Sequence, residues 1–155
     1  MKFHPQLEAL EPRDAPTSGW TVQSTPPGVT LAQEQAVIVR AFAAWEAVAN
    51  IPASIPVTFR AAPIDGSGKR VAETAWTGTG WTITLDTAER WVSSMKRVVN
   101  AVDLNRVILH ELGHALKLSH LSGLNIMNPN FCWPISQLGP QDKAAALAIY
   151  GAPNK

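Results

Sequence analysis

The run His110–His120, HELGHALKLSH, constrains this chain more than any other stretch of its 155 residues. His110 and His114 lie four residues apart, so on a helix their imidazoles stack one turn above the other and can reach a single metal ion. His120 cannot join them if the helix simply continues. It would stand about 15 Å from His110 along the axis, whereas zinc–nitrogen bonds are only about 2.0–2.1 Å long. A three-histidine site therefore requires the helix to end before His120, and so abrupt a reversal usually takes a residue that tolerates positive φ. Glu111 follows the first histidine directly. From there a carboxylate can lean over the open side of a metal, take a proton from water and later pass it to a departing amine. Zinc supplies the complementary half of that chemistry, lowering the water pKa to about 7 and polarising a carbonyl.

An HExxH pentapeptide also arises on polar surface helices that bind nothing, so the surroundings matter. Of the 4 histidines, all but His4 fall inside this one window. Beyond Glu111 the only acidic residue is Asp142, which leaves no downstream Glu to serve as a third ligand. His110, His114 and His120 are thus the metal-ligand candidates, and Glu111 the catalytic one.

The remainder reads as one compact domain of ordinary hydrophobic content, 46%. A net charge of +1 with 16% charged residues points to neither nucleic acid nor a membrane as partner. No stretch approaches the roughly 18 apolar residues of a membrane helix, and the opening MKFHPQLEALEPRDAPTSG lacks a continuous apolar signal core. Residues 1–18, broken by Pro5, Pro12 and Pro16, read as a flexible leader before a domain at 19–155. With Cys132 as the single cysteine no intrachain disulfide forms, and its thiol is either inert and buried or a thiolate close to the metal.

Periodicity gives the elements. WTVQST (20–25) alternates as a first strand, and a helix over 32–49 follows with Thr30 as N-cap. Strands are expected at 57–61, 71–76 and 81–85, the last two split by GTG. Leu104, Val107, Ile108, Leu112, Ala115 and Leu116 place a second helix over 103–118, capped by Asp103, and an Ala-rich helix closes the chain at 141–150.

HELGHALKLSH resembles the HExGHxxGxxH signature of the metzincin zinc peptidases, and within them of the matrixin-like peptidases. LNIMNPNF is similar to their Met-turn, VRAFAAWEAVANIPASIPVTFR to their first helix and second strand, ITLDTAERW to the strand before the active-site helix, and LGPQDKAAALAIYG to their last helix. Together these cover most of residues 19–151. The resemblance implies an α+β metzincin catalytic domain with a twisted, mostly parallel sheet, an active-site helix, a Met-turn and a C-terminal helix. It implies a zinc endopeptidase acting on protein or peptide, with one catalytic zinc. Met127 would lie beneath the metal, and Pro129, Phe131 and Trp133 would shape the substrate pocket. The strand at 71–76 would be the edge that pairs with substrate.

Departures from the family set further expectations. Lys117 stands where the family has Gly in the third-ligand turn, so the turn is strained, or differs in geometry, or holds His120 less firmly. Residues 61–70 contain no His and only Asp65 as an acid, so no structural zinc or calcium is expected. Leu121 replaces a common Ser or Thr, and no cysteine-switch propeptide is expected. A monomer is expected. FHPQLEALEPRDAP resembles LExRxxP-type leaders of exported bacterial proteins, which together with the family resemblance suggests export without fixing a location. The alternative function is a zinc-binding interaction module whose peptidase activity is lost, or is held latent by Cys132 or the leader.

Overall fold

A computed structural model describes residues 19–94, 97–130 and 135–154. The leader 1–18 and the candidates Phe131, Cys132 and Trp133 lie outside the described residues. The elements run β1 (Trp20–Val22), α1 (Leu31–Glu46), β2 (Val57–Ala62), β3 (Ala72–Trp76), β4 (Trp81–Asp86), β5 (Trp91–Val92), β6 (Val102–Asp103), α2 (Leu104–Ala115) and α3 (Pro140–Tyr150). The fold is α+β with a mixed, mostly parallel sheet in the order β1-β2-β4-β3. β1 and β4 are both parallel to β2, and only the edge strand β3 is antiparallel to its neighbour.

Register assigns the two faces of the sheet. Val57, Phe59 and Ala61 pair with Trp81, Ile83 and Leu85, and directly opposed residues project to the same side. That side is apolar and joins Val37, Ile38, Ala41, Phe42 and Trp45 of α1 and Val107, Ile108 and Leu112 of α2 in one core. Both helices therefore pack on one face. The Trp45 indole N–H is buried between them and donates to the Leu109 carbonyl at 3.1 Å, which satisfies its one polar atom and joins α1 to α2. On the other face the strands present Thr58, Arg60 and Thr84, with Arg60 Nε donating to Thr84 Oγ1 at 3.0 Å.

Local chemistry sets the boundaries. Thr30 and Gln33 form a reciprocal capping box at the start of α1, and the Asp103 carboxylate accepts from Asn105 N at the start of α2. β1 is shorter than the alternation of WTVQST suggests. At its end the pairing with β2 passes to a side chain, with Ala61 N donating to Ser24 Oγ at 2.9 Å. The two-residue pair β5 and β6 was not expected from the sequence, being too short to show a period. Asp86, at the end of β4, accepts from the backbone of Ala88, Ile64 and Asp65 at 2.9, 3.3 and 3.4 Å, and the Ala88 bond foremost holds its carboxyl below the usual range. Glu89 Oε1 accepts from Gly68 N at 2.6 Å. Carboxylates and backbone N–H groups thus staple the loop over 63–70 to the sheet. Among the described residues no helix is long and apolar enough to cross a membrane.

One core position breaks the apolar pattern. Glu34 of α1 is fully buried, neither carboxylate oxygen has a hydrogen-bond partner, and burial pushes its pKa up to about 7. Below its unfolded value of 4.5 the group is neutral in both states and carries no ionisation penalty. As pH rises from there to about 7 the unfolded chain ionises first, and stability falls by on the order of 3 kcal/mol. Glu34→Leu is therefore expected to stabilise the protein by about 2–3 kcal/mol at pH 8 and by much less at pH 4.5. Urea unfolding of variant and parent at both pH values reads this, and an equal gain at both would exclude ionisation as the cause.

Candidate metal centre

α2 stops where the histidine spacing requires. Leu116 N still donates to Leu112 O at 2.9 Å, but Lys117 N then donates to His114 O at 2.8 Å and Leu118 N to Gly113 O at 2.9 Å. This pairing is a Schellman reversal, and its left-handed position falls on Lys117, at φ 64°. The chain thus realises the strained version of the turn, with the ordinary geometry built on a non-glycine residue. Three residues later His120 has been folded back against α2.

The ligating atoms of His110, His114 and His120 lie within 4.8 Å of one another, and His114 Nε2 is 3.1 Å from His120 Nε2. Nitrogens bound tetrahedrally to zinc at about 2.0–2.1 Å stand about 3.3 Å apart, so the spacing suits that ion. Tautomers are set from behind. A carbonyl can only accept, so Nδ1–H of His110 donates to Ile126 O at 2.7 Å and Nδ1–H of His114 to Leu118 O at 2.9 Å. Each bond leaves Nε2 with its lone pair available to a metal. Burial, aided by the neighbouring histidines and Arg106, lowers the His110 pKa to about 4 and keeps that ring in the neutral, ligating form. The donor set therefore fits a zinc ion.

The turn carrying Ile126 is itself held. Asp142, in the first turn of α3, accepts from Ile126 N at 2.6 Å, Met127 N at 3.1 Å and Gly139 N at 2.7 Å. Asp142, the one acid downstream of Glu111 in the sequence, is thus the brace of this turn and not a ligand candidate. A carboxylate at the third helical position after Gly139 is the signal that could have suggested a capping role. Met127 is fully buried, and its backbone carbonyl accepts from Leu121 N at 3.0 Å. Its sulfur packs so closely on Gly113 that a Cβ there would collide with it and come within 3.0 Å of Trp45. The glycine of HELGH is required by that approach.

Glu111 is 6% exposed, and its Oε2 accepts from the Thr74 hydroxyl on β3 at 2.6 Å. Burial raises the Glu111 carboxyl above the ordinary range, while the Thr74 hydrogen bond and the His120 charge pull it back. Thr74 was not singled out in the sequence. Pro129 is exposed just past the Met127 turn, and Arg106 donates to the nearby Asn130 carbonyl at 3.4 Å.

Comparison with known proteins agrees with this geometry. The family model for matrixin matches residues 13–151. The chain belongs to the matrixin family. It is a zinc metallopeptidase family, and this matrixin carries its three-histidine cluster. Over 93 residues the chain is 36% identical to an interstitial collagenase of Sus scrofa, covering 57% of this chain and 19% of that protein. It is 34% identical over 116 residues to metalloendoproteinase 1 of Glycine max, covering 62% of this chain and 38% of that protein. A probable matrix metalloproteinase of Invertebrate iridescent virus 3 is 34% identical over 91 residues, covering 57% of this chain and 25% of that protein. The matrixin described here thus spans well under half the length of each of these relatives.

Lys117 gives this matrixin a removable strain. A left-handed non-glycine residue costs about 1–2 kcal/mol, offset in part by the greater freedom of glycine in the unfolded chain. Lys117→Gly is expected to raise the unfolding free energy of the zinc-loaded protein by about 1 kcal/mol at unchanged zinc content. Urea denaturation measures it, and a loss of stability would show that Lys117 makes contacts worth more than the backbone relief.

Proposed function

We propose that this matrixin is a zinc-dependent endopeptidase in which Glu111 moves the proton. The observation that carries the reading is the position of one carboxylate. Glu111 follows the ligand candidate His110 on α2 and is hydrogen-bonded to Thr74 on the edge strand of the sheet, so it stands between the histidine cluster and an open β edge.

Each part has a task. Among the described residues β3 pairs with β4 alone, so its other edge offers backbone N–H and C=O groups to an extended peptide, which is how edge strands recruit chains. His110, His114 and His120 would hold the ion through Nε2, the first two oriented by the Ile126 and Leu118 carbonyls. A zinc ion held there supplies Lewis-acid chemistry, polarising a carbonyl and easing the ionisation of water. Glu111 accepts the water proton and returns it to the amine nitrogen as the peptide bond breaks. Its burial favours the protonated carboxyl that the second half of this cycle needs. Met127 forms the floor of the site, and Pro129, exposed just past it, borders the substrate cleft. The substrate is a protein or peptide, and the working unit is a monomer. One zinc per chain is expected.

The test is cleavage of a mixed quenched-peptide library by zinc-loaded protein, beside Glu111→Gln at equal measured zinc content. A loss of at least about 100-fold in the variant is expected. Equal turnover by both proteins would remove Glu111 from the proton path, and absence of cleavage by both would favour a zinc-binding module without turnover.

A further inference from the structure

Thr74 lies midway along β3, opposite Ile83 of β4, a fully buried core residue. Opposed residues of an antiparallel pair share a face, so the Thr74 side chain projects toward α2, while Glu73 and Ala75 project the other way. Its hydroxyl is 2.6 Å from Glu111 Oε2 and 3.1 Å from the Glu111 backbone carbonyl. One hydroxyl carries one proton. The shorter contact, to a charged acceptor, is the stronger of the two and takes most of it.

A glutamate has three side-chain torsions, and in a nearly dry site most of its rotamers would aim the carboxylate away from the reacting atoms. Helix backbone does not restrict them enough, and among the described residues no cation is hydrogen-bonded to this carboxylate. Among the described residues the one side-chain bond to this carboxylate comes from the sheet. We propose that Thr74 is the positioning residue for Glu111, its hydroxyl anchoring Oε2 so that Oε1 is left to handle the proton. The proposal rests on the peptidase reading above and deepens it. Because Thr74 belongs to the strand offered to the substrate, a peptide that pairs along β3 sets the position of the base through one hydrogen bond. Strand pairing and base orientation are then one mechanical unit, with Ala75 and Trp76 exposed at its far end.

Removing the hydroxyl should therefore act on turnover rather than on binding. Thr74→Val keeps the β-branched shape that suits a strand and removes only the donor. In the zinc-loaded enzyme it is expected to lower kcat about 10-fold with KM changed by less than about 2-fold, as loss of orientation of a base requires. Thr74→Ser, which retains the donor, should stay within about 3-fold of the parent. Zinc affinity should be unchanged in both. A crystal structure of Thr74→Val should show the Glu111 carboxylate in more than one rotamer, a readout independent of turnover. If Thr74→Val does not fold, Thr74→Ala makes the same comparison against Thr74→Ser. Parent-like kcat in the valine or alanine variant, with activity still dependent on Glu111, overturns the role of Thr74 and leaves the peptidase reading standing. Equal losses in the serine and valine variants also overturn it, because shape rather than the donor would then be responsible. A zinc-loaded parent that cleaves nothing overturns both.

Discussion

Two imidazoles one turn apart on a helix cannot complete a metal site, and the third must come from chain that has left the helix. Everything around His110 and His114 follows from the need to stop α2 at once and turn back. The reversal at Leu116–Leu118 does so with the Lys117 and Leu118 N–H groups bonded to His114 and Gly113 carbonyls. Its product is more than a change of direction. The same Leu118 whose N–H closes the turn accepts from His114 Nδ1, so ending the helix and fixing a ligand tautomer are a single local event. The strain of Lys117 persists because the surrounding bonds over-determine the turn.

α3 braces this arrangement from the far end of the chain. Asp142 at its start holds Ile126 and Met127 by their N–H groups, and Ile126 in turn orients His110. Tyr150 at its other end donates to the Leu116 carbonyl at 3.0 Å, satisfying an acceptor that the end of α2 would otherwise leave open. Met127 then fills the space above Gly113 and against Trp45, which continues through the Trp45 indole bond to Leu109. Ligand orientation, core packing and the last helix are thus connected through short hydrogen bonds and one close sulfur contact. Small shifts in any of them would reach the imidazoles, and sites of this kind are held to within about half an ångström by such supports.

What could be read from the residue order is what depends on local spacing. The HELGHALKLSH run required a helix, an early stop and a returned histidine. The caps at Thr30 and Asp103 follow from residue type beside a periodic segment. Lys117 in a glycine position was visible as a departure, although its φ was not. Illegible were features made by partners far apart in sequence. Thr74 is one strand threonine among several until β3 lies against α2, 37 residues away in sequence from Glu111. Asp142 resembled a spare acid until α3 met the 125–127 turn. Glu34 reads as a solvated first-turn acid, favourable near a helix N-terminus, and only tertiary packing buries it.

Zinc K-edge X-ray absorption on the zinc-loaded chain tests most directly whether the reversal delivers His120 as the third ligand. The expected spectrum shows three imidazoles and one light oxygen scatterer at about 2.0–2.1 Å, with no sulfur. Multiple scattering from only two imidazoles, or a shell at about 2.3 Å from a thiolate, would contradict it. The first result would mean that the strained turn fails to hold His120, and the second that Cys132 takes a place at the metal.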